Sequence, residues 1–188
     1  LVLRLSFPCL MAVGVNTLSM IRLRWLALCF WMVVLGSPAL GSAPEGWHTH
    51  RVGSVHMHSP DSSSKVSRVL GEHANDSLDA LTRRLGVAVG GPIEVFLPPT
   101  QHLFETMQPG TPPSYADATA YPSRGEIYLR PPRVRGQGDE PLEVVLDHEL
   151  VHILLGRAFA PERPPAWLQE GVAQVLAGQY GPSAQQKK

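Results

Sequence analysis

The sequence predicts an α+β domain, a small mixed sheet packed on helices, and three observations carry that expectation. Short apolar or alternating segments bounded by Gly and Pro recur between residues 47 and 130, the pattern of strands closed by turns. Two longer segments, 62–85 and 141–157, instead carry apolar residues at helical spacing or along a run too long for a strand. Eighteen Pro and seventeen Gly among 188 residues give too many breaks for a helical bundle.

Residues 47–58, WHTHRVGSVHMH, alternate loosely and predict a first strand or strand pair. In 62–85 the residues Val66, Val69, Leu70, Ala74, Leu78, Leu81 and Leu85 fall three and four apart, so one helical face is apolar. Gly86 ends that helix, and 92–97 is a short strand stopped by two prolines. A helical turn or two is expected at 101–107, followed by a Pro-rich loop at 108–115, a strand at 116–120 and a turn at 122–125. Residues 126–130 form another strand, polar on one side and closed by Pro131-Pro132, which predicts a place at a sheet edge. The segment 141–157 is apolar around most of its circumference, so its helix is expected to be buried. A last helix starts near Pro165, a favoured first-turn residue, and stops at Gly178.

Charge and cysteine usage are uneven along the chain. Sixteen Lys plus Arg balance sixteen Asp plus Glu, so there is no positive field to hold nucleic acid, and no nucleic-acid partner is expected. Arg22 and Arg24 precede an apolar run of about eleven residues from Trp25 to Leu35, too short for a comfortable membrane span. A Gly-Ser-Pro break and the small residues Ala39, Gly41 and Ala43 complete the layout of a signal peptide. Residues 20–43 are therefore expected to direct export to a periplasmic or extracellular location, with cleavage near Gly41 to Ala43. An uncleaved segment would be the domain's only membrane contact. Residues 1–19 read as an extension upstream of Met20, and 44–188 as the functional domain. Cys9 and Cys29 both precede the cleavage point, so the exported part carries no disulfide and is mildly acidic.

Chemistry concentrates in His148-Glu149-Leu150-Val151-His152. Histidines four apart on a helix share a face one turn apart and can bind one zinc ion, while Glu149 is placed to act as general base on a water. The five-residue pattern arises by chance in roughly two chains in a hundred, so context must support it. Here the context is an apolar helix, where each unpaired buried polar group costs about 1 to 3 kcal/mol. A catalytic zinc takes three protein ligands and keeps one open position. Glu170, eighteen residues after His152 in PAWLQEGVA, reaches the metal if the two helices fold back on each other through 158–165.

The segments VVLDHELVHILL and PAWLQEGVA resemble the gluzincin metallopeptidases, the thermolysin-like group of the MA clan, and in particular the peptidase MA-like domain of exported bacterial proteins. That resemblance implies a zincin-like fold, with His148, His152 and Glu170 as ligands of one Zn2+ and Glu149 as the base. It also implies hydrolysis of peptide bonds in a peptide or protein substrate. Three features depart from the family. Gln174 stands where members often have an acidic residue that orients a ligand histidine; its amide oxygen accepts an imidazole N–H without charge. Asp147 has no explanation in the sequence. The chain stops ten residues after Gly178, whereas thermolysin-like enzymes continue with a further helical region, so the domain reads as a minimal version or one truncated at its C-terminus.

Two rival functions fit the same residues: a non-catalytic exported metal-binding domain, and a zinc hydrolase of a non-peptide amide such as that of the cell wall. The strand at 126–130 could hold an extended substrate by main-chain hydrogen bonds. Tyr128 or Tyr180 could donate to an oxyanion, although packing or surface roles explain both. The pairs His48 with His50 and His56 with His58 each share a strand face and could bind a second metal, the simpler account being an exposed His-rich strand. Arg130, Arg133 and Arg135 are most simply a solvated basic loop, and Trp167 is expected to wedge the last helix against the metal helix.

Overall fold

The computed structural model describes residues 43–131 and 140–179, which belong to one compact unit. The expected signal peptide lies almost wholly outside the described residues, as do Arg133, Arg135 and Tyr180. Five strands make one mixed sheet: β1 (His48–Val52), β2 (Val55–Ser59), β3 (Ile93–Phe96), β4 (Ala118–Tyr121) and β5 (Glu126–Leu129). Their lateral order is β1-β2-β3-β5-β4. The outer pairs β1·β2 and β4·β5 are antiparallel, and β2, β3 and β5 run parallel through the centre. Gly53, at φ 57°, supplies the left-handed residue that a two-residue hairpin turn between β1 and β2 requires.

Among the described residues four helices pack with this sheet. They are α1 (Ser64–Leu85), entered through a 3-10 turn at Asp61–Ser63, then α2 (Gln101–Thr106), α3 (Leu142–Phe159) and α4 (Ala166–Leu176). One sheet face, built by Val55, Met57, Ile93, Val95, Ile127 and Leu129, packs under α1 and α3. The helices answer with Leu70, Ala74, Leu78 and Leu81 from α1 and Leu146, Leu150, Ile153 and Leu154 from α3. Each such side chain contributes roughly 1.5 to 3 kcal/mol by leaving water, so this layer fixes where α3 lies. Asp147 also gains a role, because its Oδ1 lies 3.0 Å from His73 Nε2 and ties α3 to α1.

The second sheet face is polar and aromatic. Phe96 stacks between His58 and Tyr128 at 4.7 and 4.8 Å. The carboxylate of Glu94 accepts from His56 Nδ1 at 3.0 Å and from His58 Nε2 at 2.6 Å. The His-rich strand is thus half-buried and bonded rather than exposed. The two pairs occupy opposite faces, His48 and His50 lying on the side of α1. Glu126, fully buried, accepts from Arg124 at 2.7 and 2.9 Å and from Tyr128 Oη at 3.1 Å.

Two further expectations fail. Strand β5 lies inside the sheet, between β3 and β4, and the edge is β4. The polar residues of β5 that suggested an edge point to the second face, where Arg124 and Phe96 meet them. Trp167 is 74% exposed and wedges nothing. Helix α4 turns Val172, Ala173 and Leu176 to the core instead, which leaves Trp167 on its outer side with Val175. Among the described residues no helix is long and apolar enough to cross a membrane.

Candidate metal centre

Burial of α3 dictates where its histidines go. The helix turns Val145, Leu146, Leu150, Val151, Ile153 and Leu154 inward, so His148 and His152 emerge together on its one partly open side. Their rings meet edge to face at 4.8 Å between centroids, with the two Nε2 atoms 3.0 Å apart. Helix α4 runs back along α3 after the turn at 160–165 and brings Glu170 over the pair. One carboxylate oxygen lies 3.4 Å from His148 Nε2 and the other 3.4 Å from His152 Nε2. Among the described residues this is the one group of three His, Cys, Asp or Glu side chains whose ligand atoms all lie within 4.8 Å of one another.

These separations suit a zinc ion. Ligand atoms each about 2.1 Å from a common tetrahedral centre sit roughly 3.4 Å apart. The protonation states agree with that geometry. Burial first, and then the neighbouring His148, push the His152 pKa below the ordinary histidine value, against a smaller opposing pull from Glu170. A neutral ring is the form that ligates metal. His148 Nδ1 lies 3.0 Å from Gln179 Oε1, an acceptor, which places the ring proton on Nδ1 and leaves the Nε2 lone pair facing the gap. That acceptor is Gln179 rather than Gln174, and no motif in the sequence marks it, since it stands nine residues past Glu170 in the turn after α4.

Glu149 occupies the next position on α3 and is 8% exposed. Burial, with a smaller contribution from the Glu170 charge, pushes its carboxyl up to about 8. Glu149, both histidines and Glu170 line a single open groove of about 1320 Å³. The opposite wall of that groove is β4 with the turn that follows it. Arg130 N donates to Asp117 O at 2.9 Å, so in the alternating antiparallel ladder the main-chain N–H and C=O groups of Ala118 and Ala120 point away from β5, towards the unpaired side. The free edge of the sheet therefore faces the same groove as the three ligand-type side chains.

The remaining candidates among the described residues are absorbed structurally. Tyr128 projects from the second sheet face and donates to Glu126, so it packs and does not enter the groove. Arg130 donates to Ser114 O at 2.6 Å and lies over the Phe104 ring. Ser77, His73 and Asp147 resemble a nucleophilic triad in composition only, because both partners meet the same nitrogen, Nε2. Comparison of the chain with protein-family models, with curated proteins and with solved structures gives no match.

Proposed function

We propose that the domain is a zinc-dependent peptide hydrolase of the gluzincin, zincin-like type, in which His148, His152 and Glu170 hold one Zn2+ and Glu149 is the general base. The carrying observation is the convergence of two Nε2 atoms and one carboxylate from neighbouring helices at 3.0 to 3.4 Å, inside a groove walled by a free strand edge. Bound there, zinc would supply Lewis-acid stabilisation of a developing oxyanion and acidify a water to a pKa of about 7.

The chain's own residues account for the rest. Gln179 fixes the His148 tautomer, and burial keeps His152 neutral. The outward main-chain groups of Ala118 and Ala120 align an extended peptide by strand addition, which positions its scissile carbonyl across from α3. Glu149 removes a proton from water as the new carbon–oxygen bond forms, then delivers it to the amine as the carbon–nitrogen bond breaks. The basic region and apolar run of residues 20–43 support export as the setting.

Glu149→Gln tests the assignment. The variant should retain one zinc per chain by metal analysis while hydrolysis of an unfolded protein falls by about 10²- to 10⁴-fold. Activity that survives in Glu149→Gln, or a purified chain that takes up no zinc, would overturn the proposal. Peptidoglycan fragments in the same assay separate a peptide substrate from a cell-wall amide.

A further inference from the structure

Past the ligand-type side chains the groove reaches an arginine whose charge the fold leaves without a counter-ion. Gly156 of α3 meets Pro122, just beyond β4, so the late ends of the two walls coincide. There Arg157, one residue further along α3 and about 7.5 Å of helix rise after His152, lines the groove together with Gly90, Gly91 and Gly125. Main-chain carbonyls hold its guanidinium: Nη1 donates to Val89 O at 2.6 Å and to Gly91 O at 3.0 Å, and Nη2 donates to Pro92 O at 2.6 Å. A Cβ on Gly125 would overlap Arg157 Nη2, and one on Gly90 would come 3.6 Å from its Cδ, so glycines make room for the side chain. Three of the five guanidinium N–H groups are thereby used, and the planar group is fixed in place. Nε has no hydrogen-bond partner among the described residues and, unlike Arg130 Nε, is not sealed from solvent.

All three acceptors are neutral. No carboxylate of the described residues lies within ion-pair distance of Arg157, and burial pushes its pKa below the ordinary arginine value with no acidic neighbour opposing it. Arg124, on the adjoining turn, is by contrast paired with Glu126 at 2.7 Å. Charge along the groove is divided in the same sense: Asp117 and Glu140 stand ahead of β4 and α3, whereas Arg157 and Arg163 follow at the late end. A half-buried cation is costly until an anion pairs with it, and carboxylate is the anion that a peptide carries. Resting on the reading of this groove as a peptide site, we infer that Arg157 selects substrates that place a carboxylate at this end of the groove, either an acidic side chain or a free C-terminus. The N–H groups left over, on Nε and Nη2, are the donors that meet it. A purely structural tie between α3 and residues 89–92 would explain the three carbonyl bonds but would make no distinction between a carboxylate and its amide.

Fluorescence anisotropy of short labelled peptides with the chelated full chain tests this without metal or hydrolysis. One arm moves a single Glu, or Gln in its place, through each position of an amidated peptide. The other compares a free with an amidated C-terminus in a peptide that has no acidic residue. A carboxylate should bind about tenfold or more tighter than its amide in one arm. Preference for Glu at a fixed position assigns an acidic side chain, and preference for the free terminus assigns the α-carboxylate. Arg157→Gln should reduce that ratio to less than about twofold while the uncharged peptide still binds. Should Arg157→Gln fail to fold, Arg157→Lys, which keeps the charge but loses the fork, should lower the ratio by about threefold or more. A parent ratio below about twofold in both arms, a ratio that persists in the Arg157 variants, or no binding of any peptide up to about 1 mM would overturn the inference. Hydrolysis of the same peptides by the zinc-loaded parent keeps the two claims apart. Selective binding without cleavage retains Arg157 in this role and counts against the hydrolase, whereas cleavage without selectivity does the reverse.

Discussion

His148 receives its orienting partner from beyond the end of α4, and this sets apart two glutamines that look equivalent in the sequence. Gln174 lies four residues after Glu170, where the family resemblance implies contact with a ligand histidine, yet Gln179 Oε1 is the atom 3.0 Å from His148 Nδ1. Partners of this kind raise the basicity of a ligand and hold its ring in place, and their loss typically lowers metal affinity about 10- to 100-fold. Gln179→Ala should weaken zinc binding by that amount in a competition assay with a chelating dye, and Gln174→Ala should change it by less than about twofold. Equal effects would remove Gln179 from this role. Glu170→Ala removes a proposed ligand and should weaken zinc more than either glutamine change. The sequence exposes His148, Glu149 and His152 because helical spacing is local. Glu170 is legible through the fold-back of one helix on another, but Gln179 depends on how the turn after α4 closes, and no periodicity encodes that.

At the scale of elements, helices and strand positions were legible to within a few residues, whereas lateral neighbours were not. The polar alternation of β5 is the same whether its polar side meets water or, as it does, Arg124, Phe96 and a second packed face. Trp167 shows the converse, since an apolar residue near a helix start carries no record of which side the core lies on. One packing detail positions α3 against the groove wall. A Cβ on Gly156 of α3 would lie 2.7 Å from Pro122 Cγ and closer still to its Cβ, so glycine is what lets α3 approach the turn between β4 and β5. Gly156→Ala should therefore destabilise the metal-free protein by about 1 to 3 kcal/mol, despite alanine's better helix propensity. Gly171 of α4 has no atom within 4 Å of an added Cβ, and Gly171→Ala should stabilise by up to about 1 kcal/mol. Urea midpoints at constant m-value read both, and a stabilising Gly156→Ala would contradict the close approach.

At the scale of the whole molecule, one buried carboxyl links folding to pH and, under the proposed function, to zinc. The unfolded chain releases the Glu149 proton at its ordinary value of 4.5, and the metal-free folded chain holds it to about 8, chiefly through burial. The folded state thus binds the extra proton across that interval, and stability falls as pH rises wherever the folded state binds more protons. The contribution is complete below 4.5, diminishes through neutrality and is lost above 8. In chelated protein the melting temperature of the parent should therefore drop, relative to Glu149→Gln, as pH is raised from 4.5 to 8. The difference between the two proteins isolates this group from the rest of the chain. At pH 7 the chelated Glu149→Gln protein should be the more stable of the two, because the parent must take up a proton from neutral solution to bury Glu149 uncharged and the amide need not. Zinc reverses the electrostatics: a dication beside Glu149 favours its ionised form, and ligand binding to the folded state alone stabilises by mass action. Saturating zinc should accordingly raise the melting temperature of both proteins and flatten the parent's relative decline. A decline that persists unchanged in zinc would place the metal, if bound at all, away from Glu149 and so away from His148, His152 and Glu170.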